Sequence, residues 1–262
     1  MLSGTDIDYI ELSITRGNEN MIGLISALEE ELLLFKNQAK ITEVVNQAGL
    51  KFHFGTLAEQ KIVLLRCGVG KVNAAVATQL LIDRFGVDAV VFSGLAGALV
   101  PHLKRGDIVV SNYVVQHDID LTAFGRRHGE IPDMTRLFEA DPKLVRLASD
   151  AWEEKSIDEE SPSQLVVGTI ATGDSFVSDK ERIKWLQREF GAVAAEMEGG
   201  AVGQVCSMSR VPFVIIRVIS DGAGDGAAGE FIMFLDQASE LTFQLIMGML
   251  KLMSANQKTI TT

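Results

Sequence analysis

The sequence predicts a single α/β domain: a central, mostly parallel mixed sheet flanked by helices. Three observations carry this. The chain has 262 residues, 47% of them hydrophobic, enough for one such unit with a full core. Apolar, β-branched runs recur at 22–28, 61–70, 88–97, 106–115, 165–173 and 212–222. These runs are nearly continuous in apolar character and alternate with helical patterns, as strands of a parallel sheet buried on both faces do.

The elements follow in order. Residues 1–20, MLSGTDIDYIELSITRGNEN, have no basic start and no long apolar centre, so they do not read as a signal peptide. A second methionine, Met21, opens the first strong strand. The expected organisation is an N-terminal extension over 1–20, a folded domain over 21–254 and a tail over 255–262. Spaced apolar residues predict helices over 71–86 and 179–191, and a long C-terminal helix over 230–251. The acidic stretch 150–163 reads as a helix end and surface loop. There is no internal repeat and no linker long enough to divide the chain.

The net charge of −11 argues against a nucleic-acid-binding surface and suits a small neutral or cationic ligand. No apolar run reaches the roughly 20 residues needed to cross a bilayer. Cys67 and Cys206 both lie in apolar sequence. They read as buried thiols in a reducing, cytoplasmic compartment rather than as a disulfide or metal site.

Function is first visible at the strand ends. The run 22–28 leads into Glu29, Glu30 and Glu31; the run 88–92 into Ser93-Gly94-Leu95-Ala96-Gly97; the run 165–173 into Asp174-Ser175-Phe176; and the run 212–219 into Ser220-Asp221-Gly222. In open α/β sheets ligands bind beyond the carboxyl ends of the strands, so these residues form one candidate pocket. Three acids after the first strand suit a helix N-terminus, where free N–H groups favour negative charge; one of them could instead face inward. In AAEMEGGA, Glu196 and Glu198 are two apart. On an extended segment they share a face and Met197 points the other way; on a helix they form an N-terminal acid cluster. Asp221 closes an apolar strand before a glycine-rich loop, as a ligand residue or a turn aspartate would. GVGKVN, residues 68–73, lacks the spacing of a phosphate loop and of a dinucleotide fingerprint. His117, Asp118 and Asp120 have no matching ligand cluster elsewhere and read as structural or interface residues, so no metal is implied.

The stretches IGLISALEEE, CGVGKVNAA, FSGLAG, GDIVVS, HDIDLTAFG, TGDSFV, AAEMEGGA and RVISD, in that order, resemble the motifs of the 5′-methylthioadenosine/S-adenosylhomocysteine nucleosidases of the nucleoside phosphorylase superfamily. The resemblance runs from Met21 to about Leu250. SGLAG and QHDIDLTAF are most similar to the branch that includes aminodeoxyfutalosine nucleosidases.

The resemblance implies a hydrolase that cuts the N-glycosidic bond of 5′-substituted adenine nucleosides and releases adenine. Its substrates would be 5′-methylthioadenosine, S-adenosylhomocysteine, 5′-deoxyadenosine and, in the futalosine branch, 6-amino-6-deoxyfutalosine. It implies Glu31 as the base that activates water, Asp221 as the acid that protonates adenine N7, oriented by Ser220, and Glu198 on the ribose hydroxyls. Phe176 would stack on adenine, with Val177 offering backbone hydrogen bonds. Met197 would lie along the ribose, with Val69 and Phe231 near its 5′ substituent. Leu28, Leu95, Glu196 and Arg217 complete the substrate-contacting set. Leu95 departs from the serine many relatives carry. Leu121, Phe124 and Pro132 match residues lent to a partner subunit's pocket, which implies a homodimer. No cofactor is implied.

The chemistry is coherent. Glycosidic cleavage passes through an oxocarbenium-like state and needs an acid for the leaving base and a base for water. Asp221 must hold a proton near neutral pH and Glu31 must be ionised. A purine nucleoside phosphorylase would need arginine and glycine for phosphate where this chain has three glutamates. A non-catalytic nucleoside-binding protein would lack one of Glu31, Glu198 or Asp221.

Overall fold

β1 (Met21–Ser26) and β4 (Gln60–Arg66) carry the buried apolar runs Ile22–Ile25 and Ile62–Leu65, and they pair in parallel at the centre of the sheet. The computed structural model describes residues 20–158, 163–221 and 227–260. The expected N-terminal extension therefore lies, except for Asn20, outside the described residues. The remaining strands are β2 (Lys40–Gln47), β3 (Leu50–Leu57), β5 (Ala89–Ala98), β6 (Ile108–Gln116), β7 (Phe138–Glu139), β8 (Leu165–Thr172), β9 (Ala192–Glu196) and β10 (Phe213–Asp221). The helices are α1 (Glu29–Gln38), α2 (Lys71–Asp83), α3 (Pro142–Asp158), α4 (Lys180–Phe190), α5 (Gly199–Ser209) and α6 (Ala227–Ile260). The last helix runs past residue 254.

The sheet is mixed. Parallel pairings join β1 to β4 and β5, β5 to β10, β6 to β8 and β8 to β9; antiparallel ones join β2 to β3, β3 to β4, β5 to β9, β6 to β7 and β6 to β10. The sheet is not simply open. β5 pairs with β10 along most of its length and with β9 through Gly97 and Ala98, so β5, β10, β6, β8 and β9 close on themselves. This draws the carboxyl ends of β5 and β10 and the end of β9 around one space.

Alternate residues feed two apolar layers. Ile25, Val63, Leu65, Val90, Phe92 and Ile215 face one side, with Ala74, Ala77 and Leu81 of α2 and Val202 and Cys206 of α5. Leu24, Ile62, Leu64, Val91, Val214 and Ile216 face the other, with Leu32 and Phe35 of α1, Leu144 and Ala148 of α3 and Leu245 and Met249 of α6. The sequence did not announce the β2–β3 hairpin: its β2 strand, KITEVVNQ, is exposed or half-buried throughout and lacks the apolar run that marks the central strands.

Phe35 locks α1, which carries the candidate residue Glu31, to α6. It is buried and meets Phe243 edge-on with ring centroids 5.2 Å apart. Phe35→Ala is expected to destabilise the protein by about 3–5 kcal/mol, the usual scale for emptying a buried phenyl site. Urea unfolding would show this as a lower midpoint with an unchanged slope.

Candidate active site

A cavity of about 410 Å³ opens at the carboxyl ends of β1, β5 and β9. Ala27, Leu28 and Glu31 enter from the β1–α1 junction, Leu95, Ala96 and Gly97 from β5, and Val69 from the turn into α2. Ser175, Phe176 and Val177 enter after β8, Ala195 to Glu198 from the end of β9, and Arg217 from β10. The walls are apolar except for three carboxylates, one guanidinium and Ser175, the composition of a site that holds a mostly uncharged organic ligand.

Arg217 is the charged centre. It is 1% exposed, and Phe92 stacks under its guanidinium at 4.2 Å. Its Nη2 donates to Glu196 Oε2 and lies 3.5 Å from Glu198 Oε2. Burial alone would lower its pKa; Glu196, Glu198 and Glu31 outweigh that and raise it. Glu196 is spent on protein donors. Its Oε2 also accepts from the backbone N–H of Glu198 and Gly199, and its Oε1 from the Thr172 hydroxyl. The sequence placed Glu196 among the substrate contacts; its oxygens are engaged within the protein, and it orients Arg217.

Glu31 answers both readings of the acidic run. It is the third residue of α1, and its Oε2 accepts from the N–H of Ala27 at 3.0 Å and of Leu28 at 2.9 Å, capping the helix. It is also 5% exposed and lines the cavity, whereas Glu29 and Glu30 face solvent. Burial raises the Glu31 pKa, opposed by Arg217 and by the backbone N–H groups of Leu28, Ala27 and Leu95. Gly94 makes this arrangement possible: a Cβ there would sit 2.4 Å from Arg217 Nη1 and 2.8 Å from Glu31 Oε1.

Glu198 caps a different helix. Its Oε1 accepts from Gly70 N–H at 2.8 Å, at the start of α2, where Gly70 has φ 98°. Beside it, Lys71 N–H donates to Asp174 Oδ1 at 2.8 Å, while Asp118 receives Lys71 Nζ at 2.6 Å and Asp174 N–H at 3.0 Å. This ties the Ser175–Val177 segment to α2. Motif reading put Gly94 at a pocket-forming strand end without its clearance role and missed Thr172; Asp118, read from the HDID motif as a structural or interface residue, has a structural role here.

The structure brings Glu31, Glu198, Leu28, Leu95, Glu196, Arg217, Phe176, Val177, Met197 and Val69 to one cavity. Glu196, Met197 and Glu198 all line it, so the expected strict alternation stops: β9 ends at Glu196, and Glu198 has φ −134° and ψ −42°. Ser220 is buried on β10, with Oγ 3.4 Å from Ala96 O. Asp221 ends that strand opposite Gly97. The side chains of Asp221 and Phe231, and the glycine-rich segment between them up to residue 226, lie outside the described residues. Leu121, Phe124 and Pro132 are not part of the cavity wall; they belong to a surface segment whose Phe124 is 82% exposed. Among the described residues, no cluster of His, Cys, Asp or Glu could hold a metal ion.

This fold and this site define a member of the phosphorylase superfamily, whose family model matches residues 21–251. A 5′-methylthioadenosine/S-adenosylhomocysteine nucleosidase of Bacillus pumilus is 42% identical over 231 residues, covering 88% of this chain and 98% of its own. Among solved structures, a nucleosidase of the same name from Colwellia psychrerythraea, in complex with adenine, aligns with TM-score 0.83 at 39% identity over 88% of this chain and 95% of that one. The futalosine hydrolase of Helicobacter pylori aligns with TM-score 0.83 at 36% identity, covering 88% and 97%. The chain belongs to the 5′-methylthioadenosine/S-adenosylhomocysteine nucleosidase family.

Burial and the neighbouring Glu196 carboxylate lift the Glu198 pKa to about 7, with Arg217 opposing. A carboxyl raised on folding contributes stability below its unfolded pKa of about 4.3 and loses it as pH rises through the folded value. Glu198→Gln is therefore expected to gain stability relative to wild type as pH goes from about 5 to 8. Denaturant midpoints of the two proteins across that range check the sign; a constant difference would contradict it.

Proposed function

We propose that the protein hydrolyses the N-glycosidic bond of 5′-substituted adenine nucleosides, 5′-methylthioadenosine and S-adenosylhomocysteine among them, releasing adenine and the substituted ribose. The observation that carries this is the charge of the cavity. Glu31, Glu196 and Glu198 surround Arg217, which is already occupied by two of them. Among the described residues lining the cavity, no second guanidinium is present to receive a phosphate anion, and an anionic nucleophile would be repelled, so water is the nucleophile and the phosphorylase alternative is not favoured.

In this reading Glu31 takes the proton from water. Its burial makes it a stronger base than an ordinary carboxylate, and its backbone donors hold the accepting geometry. Glu198 holds the ribose hydroxyls and, with its neighbours, favours the positive charge that develops on the sugar. Phe176, 49% exposed at the cavity mouth, covers the base, and Val69 and Met197 lie along the sugar. Asp221, at the end of β10, donates the proton to the departing adenine, with Ser220 behind it. Leu95 leaves the positioning of water to Glu31 and Arg217. Nucleosides with larger 5′ groups, as in the futalosine branch, would extend past Val69.

The same reading makes the working form a homodimer, with Leu121, Phe124 and Pro132 reaching a partner's cavity. Supporting it, Val72 on α2 is 73% exposed and Phe124 82% exposed, more apolar surface than water favours. It places the protein in the cytoplasm, in methionine salvage. Both cysteines are free and buried, and among the described residues no helix is long and apolar enough to cross a membrane.

Glu31→Gln keeps the shape of the site but cannot accept the proton. Adenine release from 5′-methylthioadenosine is expected to fall by about 10²–10⁴-fold while nucleoside binding, followed calorimetrically, persists. Turnover within tenfold of wild type would remove Glu31 from the role. In a separate assay, release should proceed fully in phosphate-free buffer, and added phosphate should yield no ribose 1-phosphate derivative. Appearance of that product would make the protein a phosphorylase.

A further inference from the structure

A second cavity, of about 400 Å³, lies between α1, the turn joining β2 to β3 and the end of β4. Its wall includes Glu29 and Lys36 of α1, Lys51 and His53 of β3, and Arg66 of β4. On a chain of net charge −11, three cations here meet one carboxylate. That carboxylate is already paired, Lys36 Nζ to Glu29 Oε1 at 2.5 Å. Among the described residues neither Lys51 nor Arg66 has an ion-pair partner. Three cations around one carboxylate leave an excess of positive charge that a further anion would offset. His53 feels the excess: burial, then Lys36 and Lys51, with Glu29 opposing, hold its pKa below the ordinary histidine value, and its Nε2 has no hydrogen-bond partner.

We propose that this cavity binds a phosphate group, free or carried by a small metabolite. Arg66 offers a planar fork and Lys36 and Lys51 offer point charges, a donor set that matches the several oxygens of a phosphoryl group better than the two of a carboxylate. Gly49 lines the turn with φ 77° and open space where a side chain would stand, which leaves room for an organic remainder. Glu29 and Lys36 share α1 with Glu31, so an anion that draws Lys36 away from Glu29 acts on the helix that carries the candidate base. The site stands whether or not the main cavity hydrolyses nucleosides.

The test follows the ring resonances of the four histidines by NMR in the full chain, titrated with inorganic phosphate at fixed pH and constant ionic strength. An anion favours the imidazolium, so His53 is expected to move saturably toward its protonated limit. In Lys51→Glu/Arg66→Glu the midpoint should weaken at least about tenfold, the loss expected when charge-assisted contacts are removed. Both replaced side chains are exposed, and His117, buried elsewhere, reports in the same spectra that the fold is kept. No saturable movement, an unchanged midpoint in the variant, or equal movement of His102 and His128 would overturn the site. A parallel titration with ribose 5-phosphate separates the sources: tighter binding than inorganic phosphate assigns a phosphorylated metabolite, equal or weaker binding assigns free phosphate.

Discussion

Arg217 carries a full charge into a space from which water is almost excluded, and much of the site is arranged to make that tolerable. An isolated guanidinium at that depth would be prohibitively costly. Glu196 and Glu198 supply the counter-charge, Phe92 the stacking face, and Gly94 the room. Glu196 is in turn held by Thr172 and by the backbone at the start of α5. The ion cluster thus fixes β9, β10 and the first turn of α5 relative to one another before any ligand arrives. A buried cluster of this kind is a poor source of net stability but a strong specifier of geometry, because removing one member strands the others.

Two of the cavity's carboxylates also terminate helices: Glu31 at α1 and Glu198 at α2. Each therefore has fixed donors on one side and the cavity on the other. Side chains held this way need little reorganisation when charge develops nearby, which is the general condition for electrostatic stabilisation of a transition state. It also explains why three acids follow β1 when only one is buried. Glu29 and Glu30 satisfy the helix dipole from solvent, while Glu31 satisfies its backbone from inside.

The central strands were legible because burial on both faces demands unbroken apolar runs, as in Ile22–Ile25 and Val214–Ile216. The β2–β3 hairpin was not, since exposed strands carry no such mark, and β7 and β9 are too short to show a period. The closing of five strands into a ring depends on β5 pairing with both β10 and β9, which no local pattern encodes. Within the site, carboxylates at strand ends pointed to Glu31 and Glu198. The sequence does not say that Glu196 would be consumed by Arg217, because two glutamates two residues apart look alike until the chain turns between them. It marks Gly94 as a strand-end residue but not why it must lack a side chain, which matters only once Glu31 and Arg217 lie beside it.

The ring has a consequence for how the chain meets others. A sheet ordinarily offers two free edges for another strand. Here one end of the sheet is joined to itself, with only the two-residue β7 added beside β6, and the far end is β2, which carries Lys40 and Glu43 and a break in register between Ile41 and Glu43. Charge and a local bulge at an edge both discourage strand addition. Self-association by growing the sheet is closed at one end and resisted at the other, which leaves helices and loops as the surfaces through which copies of this chain can assemble without forming fibres.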